Sequence, residues 1–341
     1  MGQCVQKAKI YTRRSRARKS LQARTGRNTT FNDVIPFACL YHAVSLPTSS
    51  SSSVAAPPLV APLLSLRDET LDVNHRAAYN LYITVGSAGV RVGVADVHRN
   101  KFVALEDYPT PAGATPATTL HALATQHDLV GQTGWNRVRL AVQNFAFTLL
   151  PAPLFSPGDE AAYLRLHHAI GSSETTHAHR HAALDIVNVF AADKSITDWF
   201  YGLYPNGQLL HHTSALLEGV THQSEADTAR RVYLTIGPQE LTVLVVRNKR
   251  PEFCNVFAFS TPEDLIYYTI LVMQELQLNP DQDAVVVWGD LVHDSGLFTI
   301  LRKYIRHIRF GARPFDLGYS YRLNDVFEYR YFDLYSLHLC E

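Results

Sequence analysis

No Cys-x-x-Cys pair, no Gly-x-x-x-x-Gly-Lys phosphate loop, no Gly-x-Ser-x-Gly elbow and no His-Glu-x-x-His occurs in this chain. Its four cysteines (Cys4, Cys39, Cys254, Cys340) lie far apart, which argues against a zinc ribbon, a thioredoxin-type site or a disulfide scaffold and makes a reducing, cytoplasmic compartment the expectation. No apolar stretch is long and unbroken enough to cross a bilayer, so no membrane partner is expected. Gly86, Gly89 and Gly93 have the wrong spacing for a dinucleotide fingerprint and sit between strands. What is present suits a globular chain: 341 residues, 46% of them hydrophobic, are enough for about two domains.

Acid is also missing from the beginning. Residues 1–30 hold nine Lys or Arg and no Asp or Glu, and Asp33 is the single acid before Arg67. The balanced totals, 31 basic and 31 acidic, therefore hide a body from Arg67 onward with 22 basic against 30 acidic residues. Such a body argues against a nucleic-acid-binding core. Residues 47–64 add a serine run and four prolines, a composition that cannot bury enough apolar surface to offset chain entropy. Residues 1–66 are expected to be a disordered tail. It could be a polybasic arm, an Arg-rich targeting peptide or the product of a start codon assigned too far upstream, and the last is the reading adopted. Nucleic acid is not expected as a partner unless the tail belongs to the native protein.

From Tyr79 the pattern turns to strands: Leu81 to Val85, a Gly86-Ser87-Ala88-Gly89 turn, the alternating Val90 to Val94, then Lys101 to Tyr108. A helix-permissive stretch follows near Ala117 to Val130, then a strand from Val138 to Leu149 and a helix opened with capping-box spacing at Ser156 to Asp159. The script restarts 151 residues later, where Val232-Tyr233-Leu234-Thr235-Ile236-Gly237 lies under Leu81-Tyr82-Ile83-Thr84-Val85-Gly86, and Val243 and Val245 lie under Val92 and Val94. A strand from Cys254 to Phe259, a helix capped by Thr261 with Pro262 at its first position and Asp264 after it, and an apolar strand from Ala284 to Trp288 follow. Each half thus reads three strands, helix, strand, helix. The expected fold class is α/β, with duplicated ribonuclease H-like lobes on the actin-like ATPase plan, mixed sheets flanked by helices. The expected lobes are residues 67–224 and 225–341.

On that plan two glycine-rich turns would wrap a nucleotide's phosphates, and each would begin with an aspartate that holds magnesium. The aligned positions are Thr84 and Thr235. A neutral hydroxyl cannot replace the charge a hard cation needs, and losing one such group typically costs about a hundred- to a thousandfold in rate. Pro238 removes an amide donor from the second turn, and Gln239-Glu240 brings bulk and negative charge. Gly289-Asp290 stands where a Gly-Gly pair would close the late strand. The candidate cleft residues are accordingly Thr84, Gly86, Ser87, Thr235, Gly237, Gly289 and Asp290, with no catalytic residue, no metal ligand and no cofactor expected. The expected function is a non-catalytic scaffold or partner-binding module with an unidentified protein partner. The alternative is a divergent ATPase or phosphotransferase that binds ATP with magnesium and recruits a carboxylate such as Asp290 or Asp96.

Several stretches resemble the domain of unknown function 3822 family of uncharacterised bacterial proteins, whose fold is similar to actin-like ATPases. They are Lys101 to Tyr108, Asp198-Trp199-Phe200-Tyr201 and Arg330 to Cys340, of which the last is the most specific. The resemblance runs from about Leu71 to the C-terminal residues. It implies a fold and carries no catalytic residues.

Other features have plainer readings. His177-Ala178-His179-Arg180-His181 would offer three imidazoles on one face if extended, enough for zinc, but Gly171 to His181 reads as a polar surface loop. The aromatic group Trp199, Phe200, Tyr201 and Tyr204 reads as core, and the aromatic residues from Tyr319 to Tyr335 are expected to pack on the second lobe. Glu106-Asp107 and Asp159-Glu160 read as solvated strand and helix ends.

Overall fold

The computed structural model describes residues 61–223 and 229–341. The polybasic stretch and the rest of residues 1–60 lie outside the described residues, as does the expected lobe boundary at 224/225. In chain order the first half contains β1 (Leu64–Arg67), β2 (Tyr79–Gly86), β3 (Gly89–Asp96), β4 (Lys101–Pro109), α1 (Pro116–Gln126), β5 (Arg137–Val142), β6 (Phe147–Pro151), α2 (Glu160–Leu164), β7 (Glu174–His181), β8 (Ile186–Asp193), α3 (Lys194–Leu203), β9 (Gln208–His211) and α4 (His212–Gln223). The second contains β10 (Arg231–Ile236), β11 (Glu240–Arg247), β12 (Arg250–Ala258), α5 (Pro262–Glu275), β13 (Val285–Gly289), α6 (Gly296–Tyr304), β14 (Ile308–Phe310), β15 (Gly318–Tyr319) and α7 (Phe332–Ser336).

Two sheets repeat one topology. The first runs β4-β3-β2-β5-β9 and the second β12-β11-β10-β13-β14, in both cases an antiparallel meander followed by two strands parallel to its first. The 151-residue offset holds in register, since Leu81 faces Val94 as Val232 faces Val245. β2 is apolar on both faces because both are covered: Leu81, Ile83 and Val85 join one core cluster and Tyr82 joins another. α1 and α5 start where the sequence places them, each with Pro at its first turn and a capping box, Thr115 with Thr118 and Thr261 with Asp264.

Elsewhere the structure corrects the expectations. Residues 64–66, assigned to the tail, form β1 with Arg67 and pair antiparallel with β4. The reason is an ion-pair cluster: Arg67 donates to Glu106 at 2.6 Å and to both oxygens of Asp128. Glu106 is therefore fully buried where a solvated strand end was expected, as is Asp107. The single strand expected from Val138 to Leu149 breaks after Val142, because Asn144 turns the chain by accepting from Ala146 N–H and donating to the Ala191 carbonyl. β6 then joins β8 and β7 in a separate three-stranded sheet. His177 to His181, read as a loop, belong to β7, because β8 supplies an eight-residue antiparallel partner. α2 begins after Asp159 without a side-chain cap, so Ser156 does not open it. Phe200 and Tyr204 are core, as expected, while Tyr201 is exposed.

The aromatic residues near the end of the chain, expected to pack on the second lobe, divide between the two sheets: Tyr329 stacks on Phe310 of β14 and Phe332 on Trp288 of β13, both at 4.1 Å, while the others pack on the first sheet. Tyr331, Leu334, Tyr335, Leu337 and Cys340 share a cluster with Tyr82, Phe102 and Leu105, and β15 pairs with β4. Buried Arg139 fixes this segment by donating to the carbonyls of Leu337 and His338, both at 2.7 Å. The span assigned to the second lobe thus ends in a segment that completes the first sheet.

Candidate functional site

The β2–β3 and β10–β11 turns meet where the two sheets come together. Parallel pairing of β2 with β5 and of β10 with β13 ends at Val85/Val142 and Ile236/Gly289, so the residues after β5 and β13 also reach this place. Glu240, the first residue of β11, is 5% exposed and spans the gap. Its Oε1 accepts from Ser87 Oγ at 2.8 Å and its Oε2 from Gln143 Nε2 at 2.9 Å. Burial raises the Glu240 carboxyl pKa, and the bonds from Ser87 and Gln143 pull it partly back. Its backbone carbonyl accepts from Gly237 N–H, which closes the second turn.

Beside this bridge lies an ionic one. Arg91 donates to Asp290 Oδ2 at 2.8 Å and Arg330 to Asp290 Oδ1 at the same distance. Arg91 also faces Asp107 at 3.6 Å and Asp333 at 4.0 Å. Burial alone would lower the Arg91 pKa, but the carboxylates of Asp290, Asp333 and Asp107 more than reverse this, so the guanidinium stays charged. Burial raises Asp333, and Arg91 partly offsets it. Tyr331 adopts a left-handed φ of 58°, a strained choice for an aromatic residue. It is held there by its hydroxyl, which donates to Asp107 at 2.9 Å, and by Arg91 and Arg330, whose guanidinium carbons lie 5.2 and 5.0 Å from its ring centroid.

The sequence-nominated residues divide between two cavities. Thr235, Gly237, Gly289 and Asp290 line an inter-sheet cavity of about 20 Å³, together with Arg91, Gln143 and His212. That is room for about one water. Gly86 and Gln143 line a second cavity of about 330 Å³, bounded by the start of α1 and by Asn144, Glu174 and Asp193. A Cβ at Gly86 would lie 2.8 Å from that of Gln143, so the turn needs glycine there. Thr84 lines neither; it is buried in β2 opposite Arg91. Gly289 takes a φ of 116°, and a Cβ there would run into the Ile236 backbone, so the position needs glycine. Asp96 faces Tyr79, seven register pairs from the turn, about 24 Å at 3.4 Å per residue.

Sequence reasoning missed Gln143, Arg91 and Arg330. Arg91 had a signal, a charged residue inside an alternating apolar strand, but its partners are 199 and 242 positions away and nothing local announces them. A second polar cluster was also missed. Ser214 Oγ lies 3.2 Å from His181 Nε2, and His181 Nδ1 lies 2.5 Å from Glu218 Oε1. The order resembles a nucleophile–base–acid relay, but Ser214 is wholly buried, lines neither cavity and accepts from Asn188. The cluster ties β7 and β8 to α4. His177 is held by Thr175 and His179 packs edge-on against His181, and among the described residues no group of three or more His, Cys, Asp or Glu could hold a metal.

The family model described as "Protein of unknown function (DUF3822)" matches residues 68–308, and the chain belongs to that family. Comparison with curated proteins finds no match. Among solved structures, a Bacteroides thetaiotaomicron protein of unknown function with an actin-like ATPase fold is similar at a TM-score of 0.70 and 19% identity, covering 80% of this chain and 100% of that one. The PilM–PilN type IV pilus biogenesis complex is similar at a TM-score of 0.50 and 16% identity, covering 78% and 99%. The chain therefore has an actin-like ATPase fold, mixed α/β with helix-flanked sheets. No helix among the described residues is long and apolar enough to cross a membrane.

Proposed function

We propose that this member of the DUF3822 family is a non-catalytic actin-like protein that serves as a partner-binding scaffold, with its inter-lobe cleft closed by its own side chains. The observation that carries the reading is the Glu240 carboxylate bonded at once to Ser87 and Gln143. A carboxylate is itself an oxyanion, and it takes the donors that a phosphate would need.

The surrounding residues do not suit a nucleoside triphosphate with magnesium. Thr84 and Thr235 provide no charge for the cation, Asp290 is committed to two arginines, and the space between the two repeated sheets is about 20 Å³, the cavity of about 330 Å³ lying beside Gly86 against Glu174 and Asp193. Asp96, the other carboxylate the alternative would recruit, sits at the far end of its hairpin. A protein partner is in keeping with the PilM–PilN neighbour, itself a complex of two proteins, although that likeness is one of fold.

Calorimetric titration of the full chain with ATP, with and without magnesium, tests the reading. No heat at millimolar nucleotide is expected. Tight, magnesium-dependent binding with turnover would overturn it.

A further inference from the structure

The meander topology gathers charge at the end of the second sheet remote from the cleft. β10, β13 and β14 all start there and the β11–β12 turn lies there, as shown by Arg231 facing Val246, Val232 facing Val285 and Val285 facing Ile308. α6 ends there too, because Arg306 N–H bonds to the Pro280 carbonyl and Val285 N–H to that of His307. Six cations converge on this end: Lys249, Arg250, Arg302, Lys303, Arg306 and Arg309. All six are exposed and none forms a salt bridge with a described residue. Arg302 and Lys303 also complement the carbonyl end of α6, which accounts for two of them and leaves the other four without a local reason. Asp281 and Asp283 interrupt the patch, and Asp283 is partly used by the Asn279 amide.

We infer that this pole is a docking surface for an acidic, extended segment of a protein partner. It names the partner's chemistry for the scaffold reading, on which it rests. The charge is local: the body from Arg67 onward has 22 basic against 30 acidic residues, so a long polyanion running past the pole would meet like charge. From the β11–β12 turn to β14 the patch spans three to four strand spacings, about 15–20 Å, which five or six extended residues would cover. β14 is the last strand of its sheet, and no described strand pairs with its outer edge. That edge offers backbone amides and carbonyls to a polypeptide, which neither a lipid headgroup nor RNA can match strand to strand. Arginines suit carboxylates, and the pole already holds one between two of them, with Glu252 2.6 Å from Arg230 Nε and 2.7 Å from Arg247 Nε. Lys249 adds a further sign. In the two-residue Asn248-Lys249 turn it takes a φ of 58°, where glycine is the usual residue, so the turn accepts strain and keeps a cation at its tip.

Fluorescence anisotropy of the full chain with a labelled octaglutamate peptide at about 150 mM salt tests this surface, alongside phosphatidylglycerol-containing vesicles and a ten-nucleotide single-stranded RNA. The peptide is expected to bind, and Lys249→Glu combined with Arg306→Glu and Arg309→Glu to weaken it at least tenfold with an unchanged thermal melt. A milder variant with Gln at the same three positions guards against misfolding and is expected to show the same direction. No peptide binding, equal binding by the variants, or tighter binding of vesicles or RNA would overturn the inference. The cleft is at the other end of the sheet, so the nucleotide titration and this one fail separately.

Discussion

Glu106 shows how much one side chain can hold at an edge. His127 Nδ1 accepts the amides of Leu129 and Val130, so its Nε2 carries the proton and donates to Glu106 at 2.7 Å, while Arg67 and Ser65 donate to the other oxygen. Burial alone would raise the carboxyl, but the bonds from His127 and Arg67 outweigh it and bring it down to about 2. The folded-state value is below the unfolded one, so the stabilisation is complete above about pH 4.5 and is lost as pH falls toward 2. A shift of that size is on the order of 3 kcal/mol. Glu106→Gln is expected to lower the urea midpoint at pH 7 and to flatten its fall between pH 5 and 3; an equally steep fall in the variant would remove Glu106 from the account. Glu240 has the opposite sign, since its raised value means the folded state prefers the proton. Both Ser87 and Gln143 donate to Glu240, and in Glu240→Gln the new amide can accept from Gln143 and donate to the Ser87 hydroxyl once that rotates, so the unfolding free energy at pH 7 should stay within about 1 kcal/mol of wild type or rise. A loss of 2 kcal/mol or more would show that the charge itself closes the cleft. Of these residues Glu240 was legible as an oddity in its turn, whereas Glu106 was misread because its partners Arg67 and His127 are 39 and 21 positions away.

At the scale of elements, local chemistry reads well and long-range cover reads badly. α1 and α5 announce themselves through Thr-Pro starts, and the two meanders through alternation around glycine turns. β7 does not, because five of its eight residues are Glu, His or Arg and its strand character comes from pairing with β8. β1 is similarly silent until β4 is placed beside it. The contact between α4 and α7 is equally invisible in the sequence and depends on Gly219, where a Cβ would strike the Ser336 hydroxyl and come within 2.9 Å of Phe332. Gly219→Ala gains about 1 kcal/mol of helix propensity, but the overlap is expected to cost about 1–3 kcal/mol. Amides of residues 329–340 should then exchange hydrogen faster than in wild type; unchanged protection would show that α7 can shift without loss.

For the whole molecule the duplicated plan was visible because five identities and a fixed offset survive in its hairpins. The joining of its halves was not. One core cluster draws from both sheets, with Leu81 and Val94 alongside Tyr233, Leu244 and Trp288. Trp288 in β13 stacks on Phe332 at 4.1 Å, and Phe332 belongs to the segment that completes the first sheet. The described body should therefore unfold in one calorimetric transition. Two separated transitions would show the lobes to be independent.

Arg139 adds a matter of timing. Its guanidinium is buried beneath carbonyls that a ribosome adds nearly two hundred codons later, so the first sheet cannot mature before Leu337 and His338 have been made. Loss of residues 335–341 would strand that cation and take the Tyr335 ring away from Phe102. Quality-control proteases would then meet a lesion as grave as a truncation midway.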